Sequence, residues 1–358
     1  MNWFWRIFFT IALLIGWGIL GYLFMSFTLD SPKRTEPVAI EIPKNTSLKQ
    51  VGKLLEEKKL IRRSYLFSFY VFMKDKTNLQ AGNYLILPNE DIDSMLEKFA
   101  TGKENVVTVT IPEGWDATKI ANRLDQKKEG FDKEKFLSLL NNKEPKYNFE
   151  MQIAKNANRP YKLEGYLFPS TYDFPKNASE EEIINMMLAQ FAKRVEKLQI
   201  RKQLESGRLA DSNMTLDKLV TVASLVEREG KAKEEYPRIA GVIYNRLKST
   251  DNQKLRIDAT FLYITQLKEE WKNVPFHQLK YREHPYNTYI VKGLPPGPIA
   301  NPGEQALMAA LKPEHHKYEY YVTKGDGTGT HYFAETYSEH TRNVKLSNTN
   351  QQQRKKEN

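Results

Sequence analysis

The chain has no cysteine. It can form no disulfide and offers no thiolate to a metal, so its core must hold by burial alone, in any redox compartment. Other metal signals are missing as well. No H-E-x-x-H occurs, His315 and His316 are adjacent and would point apart on a regular element, and His284, His331 and His340 have no ligand spacing. No metal and no cofactor are expected. The serine-hydrolase strings G-x-S-x-G and S-x-x-K are absent, and no G-K-[S/T] follows Gly325, Gly327 and Gly329, which read as a turn rather than a phosphate loop. Zinc-finger and RNA-recognition patterns are absent too, which leaves nucleic acid without a reader.

Long apolar runs are confined to the N-terminus. Ile7 to Leu29 holds 23 residues without a charge, which as a helix would span about 34 Å, enough for a hydrocarbon core. Trp3, Phe4, Trp5 and Tyr22 are interfacial aromatics. The run is longer than a signal-peptide core and lacks a small-x-small cleavage site after it, so it reads as an uncleaved anchor. Arg6 and the terminal amine precede it, and Lys33 and Arg34 follow, offset by Asp30 and Glu36. The expected arrangement is a short inner tail (1–6), a transmembrane helix (7–29) and the bulk outside the cytoplasm, on an inner (cytoplasmic) membrane. The remaining ~330 residues suffice for two domains with cores of their own. A formal charge of +10 and a pI near 9.3 favour anionic partners such as lipid headgroups or an acidic polymer.

Residues 30–38 read as a polar linker with two prolines. An internal repeat follows. Ile42-Pro43 leads to Ser47, Val51, Leu55 and Lys58-Lys59; Ile111-Pro112 leads, at the same spacing, to Asp116, Ile120, Leu124 and Lys127-Lys128. Each copy predicts a strand, an N-cap and a short amphipathic helix. Between the copies, 64–73 reads as a helix, 81–86 as a turn and strand, and 93–100 as a helix. Residues 39–102 thus suit a small carbohydrate-binding module or a plain scaffold, and 103–212 a connecting α+β region. Glu180 to Leu204 reads as one long helix, and Leu163–Tyr172 as an aromatic loop built around Gly165 and Pro169. Residues 213–345 read as a separate domain. Thr215 caps its first helix, a second runs from Pro237, a third starts at Glu304, and 318–333 forms a hairpin. The polar stretch 346–358 is expected to be disordered.

The first helix of that domain ends in Ala223-Ser224-Leu225-Val226-Glu227-Arg228-Glu229. A carboxyl held against apolar surface stays protonated to higher pH and can serve as a general acid, which suits glycosidic bond cleavage. Positions 216, 219, 220, 222, 223, 225 and 226 define one apolar face. Glu227 and Glu229 fall on its opposite flanks, so periodicity does not choose between them.

The strings A-S-L-V-E-R-E (223–229), Y-N-R-L (244–247), Y-N-T-Y (286–289) and G-L-P-P-G-P-I (293–299), with I-P-E-G-W (111–115) and L-E-G-Y-L-F-P-S-T-Y (163–172), resemble the endolytic murein transglycosylases, the MltG or YceG-like family. The resemblance runs from the anchor to about residue 345. It implies an α+β fold: a single N-terminal transmembrane helix, a LysM-like module at 39–102 and a lytic transglycosylase domain at 213–345. It also implies one catalytic glutamate. Lytic transglycosylases in general carry it as apolar-x-x-Glu followed by Ser or a small residue. Glu229 fits better than Glu227, although Gly230 stands where Ser or Thr is more usual.

The reaction so implied needs one protein carboxylate where most glycosidases use two. The N-acetyl group of N-acetylmuramic acid assists departure of the leaving sugar, Glu229 protonates the bridging oxygen, and the 6-hydroxyl of the same sugar then closes onto C1. Tyr286 and Asn287 are candidates to orient the acetamido group, and Tyr172 and Glu164 to wall the cleft. The expected partners are peptidoglycan glycan strands, the membrane and peptidoglycan synthases. A non-catalytic, anchored wall-binding protein and a hydrolysing muramidase are the competing readings.

Overall fold

A computed structural model describes all residues except 1–2, 30–31, 33, 89, 103–105, 177, 207–212, 250–252 and 358. Parts of the expected tail at 1–6, of the 30–38 linker and of the 103–212 region therefore lie outside the described residues. The chain is mixed α and β and divides into two compact units, Met1–Thr108 with Asp173–Asn177 and Val109–Tyr172 with Ala178–Asn358.

The first unit opens with helix α1 (Trp3–Leu29), uncharged after Arg6. Its described side chains are mostly exposed, but at its C-terminal end Met25 and Leu29 enter the unit's core. Among the described residues, no helix is long and apolar enough to cross a membrane, so membrane crossing rests on the sequence argument. Strand β1 (Val38–Ile42), helices α2 (Leu48–Glu57) and α3 (Phe67–Met73), strand β2 (Gly82–Ile86) and helix α4 (Ile92–Thr101) complete the module. β1 and β2 pair antiparallel, from Val38↔Ile86 to Ile42↔Gly82. Ser47 and Gln50 form a reciprocal capping box at α2, satisfying amide hydrogens that a helix start leaves without partners. A Cβ on Gly52 would lie 3.0 Å from Phe67, so α2 and α3 meet where there is no side chain. Ile40, Leu55, Phe67, Ile86, Leu96 and Phe99 fill the space between the layers.

Strand β3 (Val106–Thr110) pairs with β4 (Thr171–Pro175), joined by Thr108–Asp173 (2.6 Å) and Thr110–Thr171 (3.0 Å) bonds between side chains. The second copy of the repeat continues into α5 (Ala117–Lys127), capped by Asp116 as the first is by Ser47. The copies share local structure, but each strand takes a different partner.

The second unit continues with α6 (Lys133–Asn142), α7 (Asn148–Met151), α8 (Glu180–Lys197) and α9 (Ile200–Ser206). The single long helix expected over 180–204 is two helices. Gln199 adopts φ 49°, a left-handed conformation that ends α8 before α9 restarts. Helices α10 (Leu216–Glu229), α11 (Tyr236–Lys248), α12 (Asp258–Leu267), α13 (Phe276–Leu279) and α14 (Glu304–Leu311) follow. α10 is the central element. Every residue from Leu219 to Val226 is buried, not one stripe as the periodicity suggested. Thr221 and Ser224 are accommodated because their hydroxyls donate to the carbonyls of Asp217 and Thr221, at 2.8 and 2.7 Å. Ser224 Oγ also accepts the Ile299 amide at 3.1 Å, which clips the proline-rich 293–299 segment onto α10. Gly165, at φ 90°, has Pro298 and Val220 where a Cβ would fall, at 2.6 and 2.9 Å. The aromatic loop 163–172 is thus pressed against α10, which is why this unit begins near Val109 and not at 213.

Strands β5 (Tyr320–Thr323) and β6 (His331–Ala334) form the expected hairpin, with Tyr320↔Ala334 and Thr323↔His331 in register. The stretch expected to be disordered is instead the end of α15 (Tyr337–Glu357). Composition misjudged it because it is polar on its own, yet Asn350 donates to the Lys324 carbonyl at 2.7 Å and Ser347 is buried, so the hairpin supports it.

Candidate functional site

The C-terminal turn of α10 carries both glutamates to different surroundings. Thr215 caps the helix start through the Lys218 amide, and at Gly230 the backbone turns extended. A Cβ at 230 would lie 2.6 Å from the Tyr236 ring. The glycine found where Ser or Thr was expected is therefore required by the close approach of Tyr236.

Glu227 faces α14. Its Oε2 accepts the Gly303 amide at 2.9 Å, and its Oε1 accepts the Tyr236 hydroxyl at 3.2 Å. Burial raises its pKa and nearby Glu113 adds to the rise, opposed by the Gly303 bond and by Lys233. Glu113 is itself ion-paired with Lys233. Both oxygens of Glu227 thus hold the start of α14 and the Tyr236 ring.

Glu229 faces the hairpin. The Tyr321 hydroxyl donates to its Oε2 at 2.8 Å, and its Oε1 takes no hydrogen bond among the described residues. Burial raises the pKa of Glu229; Asp258 pushes it the same way, while the Tyr321 bond, His331 and Arg246 oppose. The residue is nonetheless only half-buried. It combines a carboxyl whose pKa is raised with an oxygen that accepts no hydrogen bond among the described residues.

The groups around Glu229 are themselves fixed. Arg246 donates to the Glu319 carbonyl at 2.6 Å and to the Leu255 carbonyl, and its guanidinium lies over the Tyr321 ring at 5.5 Å. Asp258 accepts the Tyr289 hydroxyl at 2.6 Å. Glu235 pairs with His331 Nδ1 at 2.8 Å and accepts its amide. Tyr321 is thereby held between a cation and an edge-on imidazole, 5.4 Å from its ring. Sequence reasoning missed Tyr321, Arg246, Asp258, Tyr289 and His331 as site residues. Arg246 and Tyr289 lay inside strings singled out for the family resemblance, Tyr321 was read only as hairpin, and His331 as hairpin and as a histidine without metal-ligand spacing.

The other predicted site residues are enclosed. Glu164 is fully buried and accepts the Ala117 amide on both oxygens (3.1 and 3.0 Å), Asn301 Nδ2 (3.0 Å) and the Tyr263 hydroxyl (3.2 Å). Burial, with Asp116 adding, pushes its pKa up to about 8. Tyr172 is buried, its hydroxyl donating to the Phe168 carbonyl at 2.5 Å. Asn287 is buried and its amide donates to the carbonyls of Leu279, Lys280 and Arg282. Tyr286 is buried, its ring 5.4 Å from that of Tyr263, with no partner for its hydroxyl among the described residues. The polar atoms of Asn287, Tyr172 and Glu164 all point at protein, so contact with a sugar through them requires the surrounding segments to open. A cavity of about 630 Å³ lies at the other end of α10, lined by Met214, Lys218, Thr221, Tyr244, Leu294 and Pro296; neither glutamate lines it.

The YceG-like family matches residues 40–346. A protein of Bacillus subtilis (strain 168) named endolytic murein transglycosylase is 33% identical over 315 residues, covering 85% of this chain and 83% of that protein. A protein of the same name from Streptococcus pneumoniae (strain ATCC BAA-255 / R6) is 30% identical over 362 residues, 93% of this chain but 63% of its own length. The crystal structure of a YceG-like protein from Listeria monocytogenes is similar, with TM-score 0.56 and 32% identity, over 86% of this chain and 99% of that one.

Proposed function

The chain belongs to the YceG-like family, and we propose that it is a membrane-anchored endolytic lytic transglycosylase of peptidoglycan. It cleaves the bond between N-acetylmuramic acid and N-acetylglucosamine and leaves a 1,6-anhydro end, limiting nascent glycan strands. The observation that carries this reading is the asymmetry at the end of α10. Among the described residues, Glu229 has a raised pKa, one phenolic donor and one oxygen without a hydrogen bond, whereas both oxygens of Glu227 are engaged in the fold.

In this mechanism Glu229, protonated, gives its proton to the bridging oxygen as the bond to C1 breaks. The substrate's acetamido oxygen takes up the developing positive charge at C1. Glu229, now ionised, removes the proton of the 6-hydroxyl as that oxygen bonds to C1 and displaces the acetamido oxygen. An intramolecular nucleophile needs no positioned water and gains from proximity. Tyr321 keeps the carboxyl oriented through both steps.

The uncharged run Ile7–Leu29 of α1 crosses the inner membrane, with residues 30–358 outside the cytoplasm. The 39–102 module is LysM-like and engages glycan, and peptidoglycan synthases are the natural partners because they supply the strand. Asp258, close enough to raise the Glu229 pKa, supports a second reading as a two-carboxylate hydrolase. Digestion of intact glycan strands in ¹⁸O-water, read by mass spectrometry, separates the readings. Anhydro ends without label support the transglycosylase, labelled reducing ends the hydrolase, and no cleavage a binding protein.

A further inference from the structure

Helix α3 is apolar on both sides. Phe67, Tyr70 and Val71 are buried in the core of the first unit, whereas Phe69 and Phe72 are 57% and 72% exposed and Met73 is 53% exposed. Phe69, Phe72 and Met73 have the i, i+3, i+4 spacing of one face of α3, and Tyr65, 62% exposed, stands in the turn just before it. Large rings gathered at one place on a surface mark a contact. Just before them in the chain come Lys59, Arg62 and Arg63. Arg63 lies 3.6 Å from Glu56, and the Arg62 guanidinium lies over Phe27 of α1, 4.9 Å from its ring centre. A cavity of about 580 Å³ joins the two elements, lined among others by Phe24, Phe27, Lys59, Arg62, Arg63 and Tyr65.

We propose that this face of the first unit lies on the outer membrane–water interface, with Tyr65, Phe69, Phe72 and Met73 at headgroup depth and Lys59, Arg62 and Arg63 on anionic phosphates. The proposal rests on α1 crossing the bilayer, and its depth follows from chain geometry. The last charge before the apolar run is Arg6. Counted from there, a hydrocarbon core of about 30 Å uses about 20 residues at 1.5 Å each. That puts Phe24 and Phe27 at the far interface, beside the basic segment. Rings with basic residues at their border are the composition of interfacial surfaces. A glycan strand would also accept rings, but it does not explain why they continue the exposed aromatics of α1. The consequence is a module held flat on the membrane instead of swinging on a linker.

The chain's lack of cysteine makes the test direct. Full-length protein carrying Phe72→Cys or, as control, the exposed Lys49→Cys is labelled with a polarity-sensitive dye. It is then reconstituted into vesicles of phosphatidylcholine alone or mixed equally with phosphatidylglycerol. Dye at 72 should be quenched by lipid spin-labelled near the headgroup and shielded from aqueous iodide, and dye at 49 should behave oppositely. Replacing Arg62 and Arg63 by Glu should weaken the lipid contact about fivefold or more per residue in the anionic vesicles, and added salt should weaken it too. Iodide quenching at 72 equal to that at 49, in protein that floats with the vesicles, overturns this inference and leaves the anchor standing. Shielding of 72 only after glycan strands are added assigns the face to glycan and also overturns it. Protein that does not float with the vesicles overturns the anchor and this inference together.

Discussion

Glu164 and Glu229 are both carboxyls whose pKa burial raises, and they sit in the same unit, yet their surroundings differ in kind. Glu164 is sealed: an amide, a side-chain amide and a phenol donate to it, and Asn301 and Ala117 depend on it for their own bonds. Glu229 has a single donor among the described residues, a half-open position and a surround of Arg246, Asp258 and His331 that is fastened elsewhere. The difference teaches that a raised pKa does not identify a catalytic acid. What distinguishes the two is whether an oxygen is left uncommitted and whether the neighbours hold their places without it.

The comparison breaks most sharply if Glu229 is dispensable. Glu229→Gln keeps shape and the Tyr321 contact but cannot transfer a proton, so release of anhydro-muramyl ends should fall by roughly 10²–10⁴, with the melting curve nearly unchanged. Glu227→Gln should retain activity. The reverse pattern, measured by mass spectrometry of digests, would move the acid–base role to Glu227.

Next in size is the effect of Glu164 on stability. Glu164→Ala leaves buried donors without partners and a void, costing about 3 kcal/mol or more. The pH dependence has a definite sign. A carboxyl whose folded pKa is about 8, against a usual 4.5, binds more protons folded than unfolded. Stability therefore falls as pH rises from about 4.5 and levels off above about 8. Glu164→Gln, which mimics the neutral form, should flatten that slope in denaturant midpoints taken across the window. An unchanged slope would mean that Glu164 is ionised in the fold.

A smaller effect sharpens the other side of the comparison. The Tyr321 bond favours ionised Glu229, so Tyr321→Phe should raise the Glu229 pKa further and move the alkaline limb of the pH–rate profile upward. The rate itself should drop less than tenfold or so, because the proton donor is retained. A profile that does not move would show that Tyr321 does not touch the working carboxyl. Least of all is Ser224→Ala, which strands the Ile299 amide and should cost about 1 kcal/mol without shifting the profile.

The legible parts of the fold are those in which a few neighbouring residues settle the outcome. Ser47, Asp116 and Thr215 were readable as N-caps because a cap acts over three residues, and the Gly325–Gly329 hairpin because its turn is local. The break at Gln199 was missed because nothing in the apolar pattern of 180–204 marks a left-handed residue. The order of 346–357 was missed because its support comes from the hairpin. At the site, the sequence delivered two glutamates on one helix turn; helical periodicity did not choose between them, and only the family resemblance favoured Glu229. The choice depends on Gly303, 76 residues from Glu227, and on Tyr321, 92 residues from Glu229.

The sequence alone therefore determined the kinds of groups present: an uncharged N-terminal run, a repeated strand–helix unit, no thiol, and two carboxyls ending an apolar helix. These follow from composition and short-range spacing, which act before the chain folds. Tertiary structure alone decided which carboxyl is spent on holding α14 and which keeps an oxygen without a hydrogen bond among the described residues, and why position 230 admits no side chain. Those outcomes depend on groups brought together from distant parts of the chain, and a hydrogen bond is made or lost within a few tenths of an ångström, a precision that no sequence spacing carries.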